Sequence, residues 1–141
     1  MYEHSTRVRI RYAETDQMDI VYYGNYAQYF EVGRAESIRE LGFTYKNMEE
    51  MGIRMPVVEM EAKFLRPAHY DDLITIKTIL KELPTGHSIS YYHEVYNENN
   101  KLLTTGKVTL FFINSHTGKR TVLPDAFLEK LSHYFTDQSL L

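Results

Sequence analysis

Cysteine is absent from this 141-residue sequence. Its absence excludes disulfides, a thiolate nucleophile and cysteine-based zinc sites, and it suits a cytoplasmic chain. No apolar run approaches the roughly 20 residues that span a bilayer. The opening segment, Met1-Tyr-Glu-His-Ser-Thr-Arg-Val-Arg, lacks the apolar stretch of a signal peptide. Cytoplasmic placement without membrane association is therefore expected. Excess positive charge is missing too. The formal net charge is −3, whereas nucleic-acid surfaces are basic, so no nucleic-acid partner is expected. Arg7, Arg9 and Arg11 form the one alternating basic strip.

Several chemical signatures are also missing. The histidines at 4, 69, 87, 93, 116 and 133 share no ligand spacing, and there is no His-Glu-x-x-His. Neither a metal nor a separate cofactor is expected. Ser88 and Ser90 lie outside any Gly-x-Ser-x-Gly turn. Glycine-rich phosphate loops do not occur. With no repeat, linker or low-complexity stretch, residues 1–141 read as a single domain.

What is present is a clear order of elements. Val8, Ile10 and Tyr12 alternate with Arg7, Arg9 and Arg11, the period of a half-buried strand. From residue 25 to about 41, Ala27, Phe30, Arg34, Ile38 and Leu41 keep helical spacing, and Gly42 is a plausible stop. Gly33 weakens that helix by about 1 kcal/mol relative to Ala, so the spacing predicts close approach to another backbone there. A short second helix is predicted over residues 44–52. Four or more strands follow. Val58, Met60, Ala62 and Phe64 alternate with charged residues, and Ile74, Ile76 and Leu80 repeat the pattern. Ser88 to Tyr96 and residues 102–113 supply two more, joined by the turn signal Asn97-Glu-Asn-Asn100. Phe127, Leu131 and Phe135 mark a C-terminal helix begun near Pro124-Asp125. Short connections between successive strands imply an antiparallel sheet, and one long helix on its face makes an α+β layer architecture. One helix cannot cover the sheet and its edges, so a homodimer or homotetramer is expected.

The segment Arg11-Tyr-Ala-Glu-Thr-Asp16, continuing through Tyr22-Tyr23-Gly24-Asn25-Tyr26 to Phe30-Glu31-Val-Gly-Arg34, is where chemistry is expected. A strand carries an acid into a loop, and the loop feeds an aromatic-rich helix. The first N–H groups of a helix are unsatisfied and bear partial positive charge. An ionised Asp16 opposite them suits attack on a carbonyl, because the donors hold the developing oxyanion. The plainer use of an aspartate there is to cap a turn or helix. Asp19 competes with Asp16 for the chemical role. Glu31 and Arg34, three apart, read as an intrahelical ion pair.

This segment, together with Phe64-Leu-Arg-Pro67-Ala and Tyr70-Asp71-Asp72, resembles the hotdog-fold acyl-CoA thioesterases of the 4-hydroxybenzoyl-CoA thioesterase/YbgC type over nearly the whole chain. The resemblance implies a curved antiparallel sheet wrapped around one long central helix. It implies hydrolysis of an acyl-CoA thioester, with the coenzyme A moiety as part of the substrate and an acyl carrier protein as the alternative carrier. A non-catalytic acyl-binding dimer of the same fold is the other alternative. Asp16 matches the family's catalytic acid, as nucleophile or as general base. Tyr23 matches the residue whose backbone N–H polarises the thioester carbonyl. Tyr26 and Ser88 match substrate-binding places, Ser88 that of the pantetheine arm. Two departures stand out. Many relatives carry His at the place of Tyr23, and Met18 and Asp19 stand where glycine is frequent. In some branches a helix glutamate is the base, a role that would fall to Glu31.

Overall fold

The structure is a computed structural model and describes residues 1–135. Strand β1 is Tyr2–Arg9, and a short helical turn at Tyr12–Glu14 follows it. A second turn, Tyr23–Asn25, runs directly into helix α1, Tyr26–Glu40, and α2 is Tyr45–Glu50. The remaining strands are β2 (Ile53–Arg54), β3 (Val57–Phe64), β4 (Leu73–Leu80), β5 (Ser88–Tyr96), β6 (Leu102–Phe111) and β7 (Ile113–Asn114), and helix α3 is Asp125–Ser132. The five long strands form one antiparallel sheet in the order β1-β4-β5-β6-β3, and β2 pairs with β7 apart from it.

Alternation decides what faces the helix. Ile74, Ile76, Ile89, Tyr91, Val95, Val108 and Leu110 are all buried on the α1 side. From the helix come Tyr26, Tyr29, Phe30, Gly33, Ser37 and Ile38. Beneath them runs a cross-strand row of small or compact residues: His4, Thr78, His93, Gly106 and Ala62. Two glycines set the helix-to-sheet distance. A Cβ on Gly33 would lie 2.4 Å from the Thr78 hydroxyl and 2.9 Å from Ile76, and one on Gly106 would lie 2.5 Å from the Phe30 ring. The close approach that Gly33 predicts is thus observed, against the sheet. A long helix embraced by a curved antiparallel sheet is the hotdog arrangement.

The sequence reading needs three adjustments. The first strand begins at Tyr2 and ends at Arg9, so Tyr12 is not its last inward residue but stands 76% exposed in a helical turn. Ala27 is exposed, and Tyr26 and Tyr29 take the buried face instead. In β3 the alternating apolar residues are present, yet Val58, Met60 and Phe64 remain 47%, 43% and 50% exposed because the strand is an uncovered edge. No helix among the described residues is long and apolar enough to cross a membrane.

Candidate active site

The loop between the two helical turns is pinned from both sides. Thr15 and Val21 form an antiparallel bridge, and the Asp16 N–H donates to the Ile20 carbonyl at 2.9 Å. The chain reverses at Asp19, whose φ of 63° is left-handed. That region favours glycine and tolerates aspartate. Asp19 thereby fills a glycine-like place; it is an exposed turn residue and does not line the cleft that Asp16 lines. The Val21 N–H reaches the Ala68 carbonyl at 2.9 Å, which ties the loop to the segment after β3.

Glu14 organises the start of the helix. It is 8% exposed. Its carboxylate accepts from the Arg11 N–H at 2.9 Å, from the Arg11 guanidinium, and from the Tyr29 hydroxyl at 3.0 Å. Its carbonyl accepts from the Tyr22 N–H at 3.0 Å and from the Asn25 side-chain amide at 2.8 Å. Every Glu14 oxygen is engaged, so this acid is structural. It joins strand end, loop and helix in one network. Sequence reasoning gave it no role, although the Arg11-x-x-Glu14 spacing carries a signal for a local charged turn.

Asp16 is placed otherwise. One carboxylate oxygen accepts from the Met18 N–H at 2.8 Å, which closes the turn. Among the described residues nothing else bonds to that carboxylate, which lines a cleft of about 470 Å³ with Met18, Tyr23, Tyr26, Phe64 and Arg66. The turn role and the chemical role are therefore compatible: one oxygen fixes the side chain and the other has no partner among the described residues. In the adjoining helical turn, the first backbone donor with a partner is Asn25, bonded to Tyr22. The Tyr23 and Gly24 N–H groups, which lead the turn, have no acceptor among the described residues. Tyr23, with its free N–H, and the acid thus line one cleft. The Asp16 charge also adds to the upward push that the Tyr23 phenol exerts on the exposed phenol of Tyr22.

Aromatic rings wall the cleft. Phe64 stands 6.1 Å from the ring of Tyr23 and 5.4 Å from that of Tyr26. Tyr26 is buried, and burial raises its phenol above the ordinary range. Ser88 lies elsewhere, exposed at the start of β5 in a different cavity with Lys81, Ser90, Tyr92 and Lys107. Within one chain the structure brings together Asp16, Tyr23 and Tyr26 but not Ser88. The expected Glu31–Arg34 ion pair does not form among the described residues. Glu31 points outward from α1, whereas Arg34 is 5% exposed and turned inward. No group of three or more His, Asp or Glu side chains among the described residues has the geometry to hold a metal.

The profile of the thioesterase-like superfamily matches residues 10–131. The putative acyl-CoA thioesterase YneP of Bacillus subtilis is 37% identical over 102 residues, 72% of this chain and 73% of that protein. A putative esterase of Aquifex aeolicus is 30% identical over 125 residues, 89% of this chain and 94% of its own. Among solved structures, the DHNA-CoA thioesterase of Staphylococcus aureus superposes with a TM-score of 0.87 at 35% identity, covering 99% of this chain and 93% of that one. The chain belongs to the thioesterase-like superfamily. Its activity class is thioester hydrolysis.

Proposed function

We propose that this chain hydrolyses acyl-CoA thioesters to a carboxylic acid and free coenzyme A, and that it does so as a homodimer. The observation that carries the reading is one cleft lined both by Asp16, whose carboxylate keeps an oxygen unbonded among the described residues, and by Tyr23, whose backbone N–H has no acceptor among them. The names of the relatives support the coenzyme A carrier.

The thioester carbonyl oxygen accepts from the Tyr23 N–H. Charge that develops there is met by preorganised donors at a helix start. Asp16 acts on the carbonyl carbon, directly to give a mixed anhydride or through a water it deprotonates. Collapse of the tetrahedral intermediate breaks the carbon–sulfur bond and expels the thiolate of coenzyme A. Water supplies the oxygen of the acid in both routes. The aromatic walls from Tyr23, Tyr26 and Phe64 shelter the reacting carbonyl.

The edge of β3 supports the dimer. Among the described residues no strand lies beside its outer backbone groups, and its inward apolar side chains are half exposed. The opposite edge, β1, carries Glu3, Ser5, Arg7 and Arg9, the polar residues that discourage pairing. Antiparallel pairing of β3 with a second copy centred on Glu61 sets Glu59 opposite Lys63 of the partner subunit and Val58 opposite Phe64 of the partner subunit. Glu59 and Lys63 then pair with opposite sign and apolar side chains meet, while the two Glu61 side chains face each other at the centre of the seam.

The test is a panel of acyl-CoA and acyl-carrier-protein thioesters, followed by release of free thiol, on protein of known sedimentation mass. The reading expects acyl-CoA turnover by a dimer. Absence of thiol release from every acyl-CoA by folded dimer overturns it.

A further inference from the structure

Asn25 stands at the N-cap of α1, where an asparagine ordinarily accepts a hydrogen bond from the second or third N–H of its own helix. Here it caps nothing. Its backbone is already helical, with φ −73° and ψ −15°, whereas a capping residue is extended. The half-buried side chain turns away from the helix instead. Its amide donates to the Glu14 carbonyl at 2.8 Å, eleven residues back along the chain. Asparagine and aspartate cap helices about equally well, and aspartate adds a favourable charge at that end. Only asparagine has an amide N–H to donate. The structure thus uses the one property of this side chain that a cap does not need.

The place of this bond explains the use. A carbonyl oxygen has two lone pairs, and on Glu14 both are engaged, by the Tyr22 N–H at 3.0 Å and by the Asn25 amide. Residues 22 and 25 are fastened to one oxygen, and the residue with the free N–H, Tyr23, stands between them. Glu14 lies two residues before Asp16. The same oxygen therefore relates the main chain of the acid to the main chain of the donor. The other ties within the loop, the Thr15–Val21 bridge and the bond from Asp16 to Ile20, end before Tyr22. Past Tyr23, two side chains among the described residues reach back to Glu14. The Tyr29 phenol holds its carboxylate, and the Asn25 amide holds its main chain.

We infer that Asn25 is a positioning residue for thioester hydrolysis: through the Glu14 carbonyl its amide sets the separation between Asp16 and the Tyr23 N–H, without touching the substrate. The inference rests on the thioesterase reading proposed above and adds a residue to it. Without the amide the Glu14 carbonyl keeps one bond of two, and the turn that carries Tyr23 is free to shift against the acid. The helix behind it stays packed, because Tyr26, Tyr29 and Phe30 remain buried against the sheet. A misplacement of about 1 Å between reacting groups costs up to ~100-fold in rate. The aromatic walls of the cleft are untouched, so the loss falls on kcat rather than on KM.

Asn25→Asp and Asn25→Ala separate positioning from capping. Thiol release is followed with whichever of acetyl-CoA, octanoyl-CoA and benzoyl-CoA the wild-type protein hydrolyses fastest, and urea midpoints are measured on the same preparations. In both variants kcat is expected to fall about 10-fold or more while KM stays within about 3-fold. The urea midpoint of Asn25→Asp should be at or above that of Asn25→Ala, because a carboxylate suits a helix N-terminus but repels the Glu14 carbonyl. A capping role gives the reverse for activity: aspartate then keeps wild-type kcat. Should Asn25→Ala fail to fold, Asn25→Asp decides. Wild-type kcat in Asn25→Asp, a loss carried by KM, or an Asn25→Asp protein that does not fold overturns the inference and leaves the thioesterase reading intact. Wild-type protein that releases thiol from none of these three or from any other acyl-CoA overturns that reading and the inference with it.

Discussion

The Tyr29 hydroxyl donates to the Glu14 carboxylate at 3.0 Å, and this bond fastens the middle of the first helical turns to the strand end that launches the Asp16 loop. Burial, and then the bond to the Glu14 carboxylate, push the Tyr29 phenol well above its ordinary range, so it stays a donor at all working pH values. Tyr29→Phe removes the donor and little volume. It should cost about 1–2 kcal/mol, the usual effect of leaving a buried charged acceptor short of one bond. It should also lower thioester turnover several-fold by loosening the loop. Urea denaturation and thiol release check the two effects; unchanged turnover would detach Glu14 from the site.

Asp16→Asn should lower hydrolysis by about 100-fold or more with the fold intact, as expected for loss of a positioned base or nucleophile. Asparagine retains an oxygen to accept from the Met18 N–H, so the turn survives. Circular dichroism and single-turnover thiol release provide the measurement. Near-native turnover in the variant would move the role to another acid and remove Asp16 from the mechanism.

Much of this architecture was legible in periodicity. The bounds of β5 and the helix around residues 26–40 emerge from apolar spacing, and the antiparallel pairing of β4, β5 and β6 follows from their short connections, whereas the pairing of β3 with β6 and of β1 with β4 does not. Gly33 signalled its own function, because a mid-helix glycine needs a reason and Thr78 supplies it. Burial at β3 was not legible, since alternation says which residues share a face and not whether anything covers that face. The inward turn of Arg34 was equally hidden: spacing placed Glu31 and Arg34 three apart, but their positions on the helix circumference send one to solvent and the other toward the core. Glu14 was overlooked because its importance comes from Tyr29 and Asn25, contacts made only once the helix docks.

Charge placed on the β3 edge should break assembly. Met60→Lys puts an ammonium on the inward face of a strand whose pairing brings Met60 and Ala62 of two copies together. Sedimentation equilibrium at micromolar concentration is expected to show a dimer for the wild type and mostly the 16.6 kDa species for the variant. Loss of thiol release should accompany dissociation. A variant that stays dimeric would place the contact on another surface.

Stability should depend on His93. The side chain is 1% exposed, and its pKa lies near 3 because of burial first and Arg34 second. The unfolded imidazole takes up a proton below about 6.5, but the folded one does so only near 3. Protons therefore favour the unfolded chain across that window, and stability falls as pH drops from 6.5 towards 3. Linkage gives a loss of about 2 kcal/mol by pH 5 from this group. Urea midpoints at pH 7 and pH 5 should show it, and His93→Gln, which cannot take up the proton, should flatten the slope. An equal slope in both proteins would remove His93 from the account.

The role of Tyr23 is tested by separating its backbone from its side chain. An oxyanion donor at the main chain is indifferent to what the side chain carries. Tyr23→Phe and Tyr23→His keep a ring against Phe64 and leave the N–H in place, so both should retain most of the turnover. Tyr23→Pro removes the N–H itself. Proline is tolerated in the first turn of a helix, where the N–H has no intrahelical partner, and the Tyr23 N–H has none among the described residues. The proline variant is therefore expected to fold. Loss of one oxyanion donor typically costs about 3 kcal/mol of transition-state stabilisation, or ~100-fold in rate. The deciding measurement is the turnover number in variants first shown by circular dichroism to be folded. Should Tyr23→Phe be as inactive as Tyr23→Pro, the phenol hydroxyl takes part in the chemistry and the oxyanion must be held by other donors, of which the Gly24 N–H is the nearest along the chain.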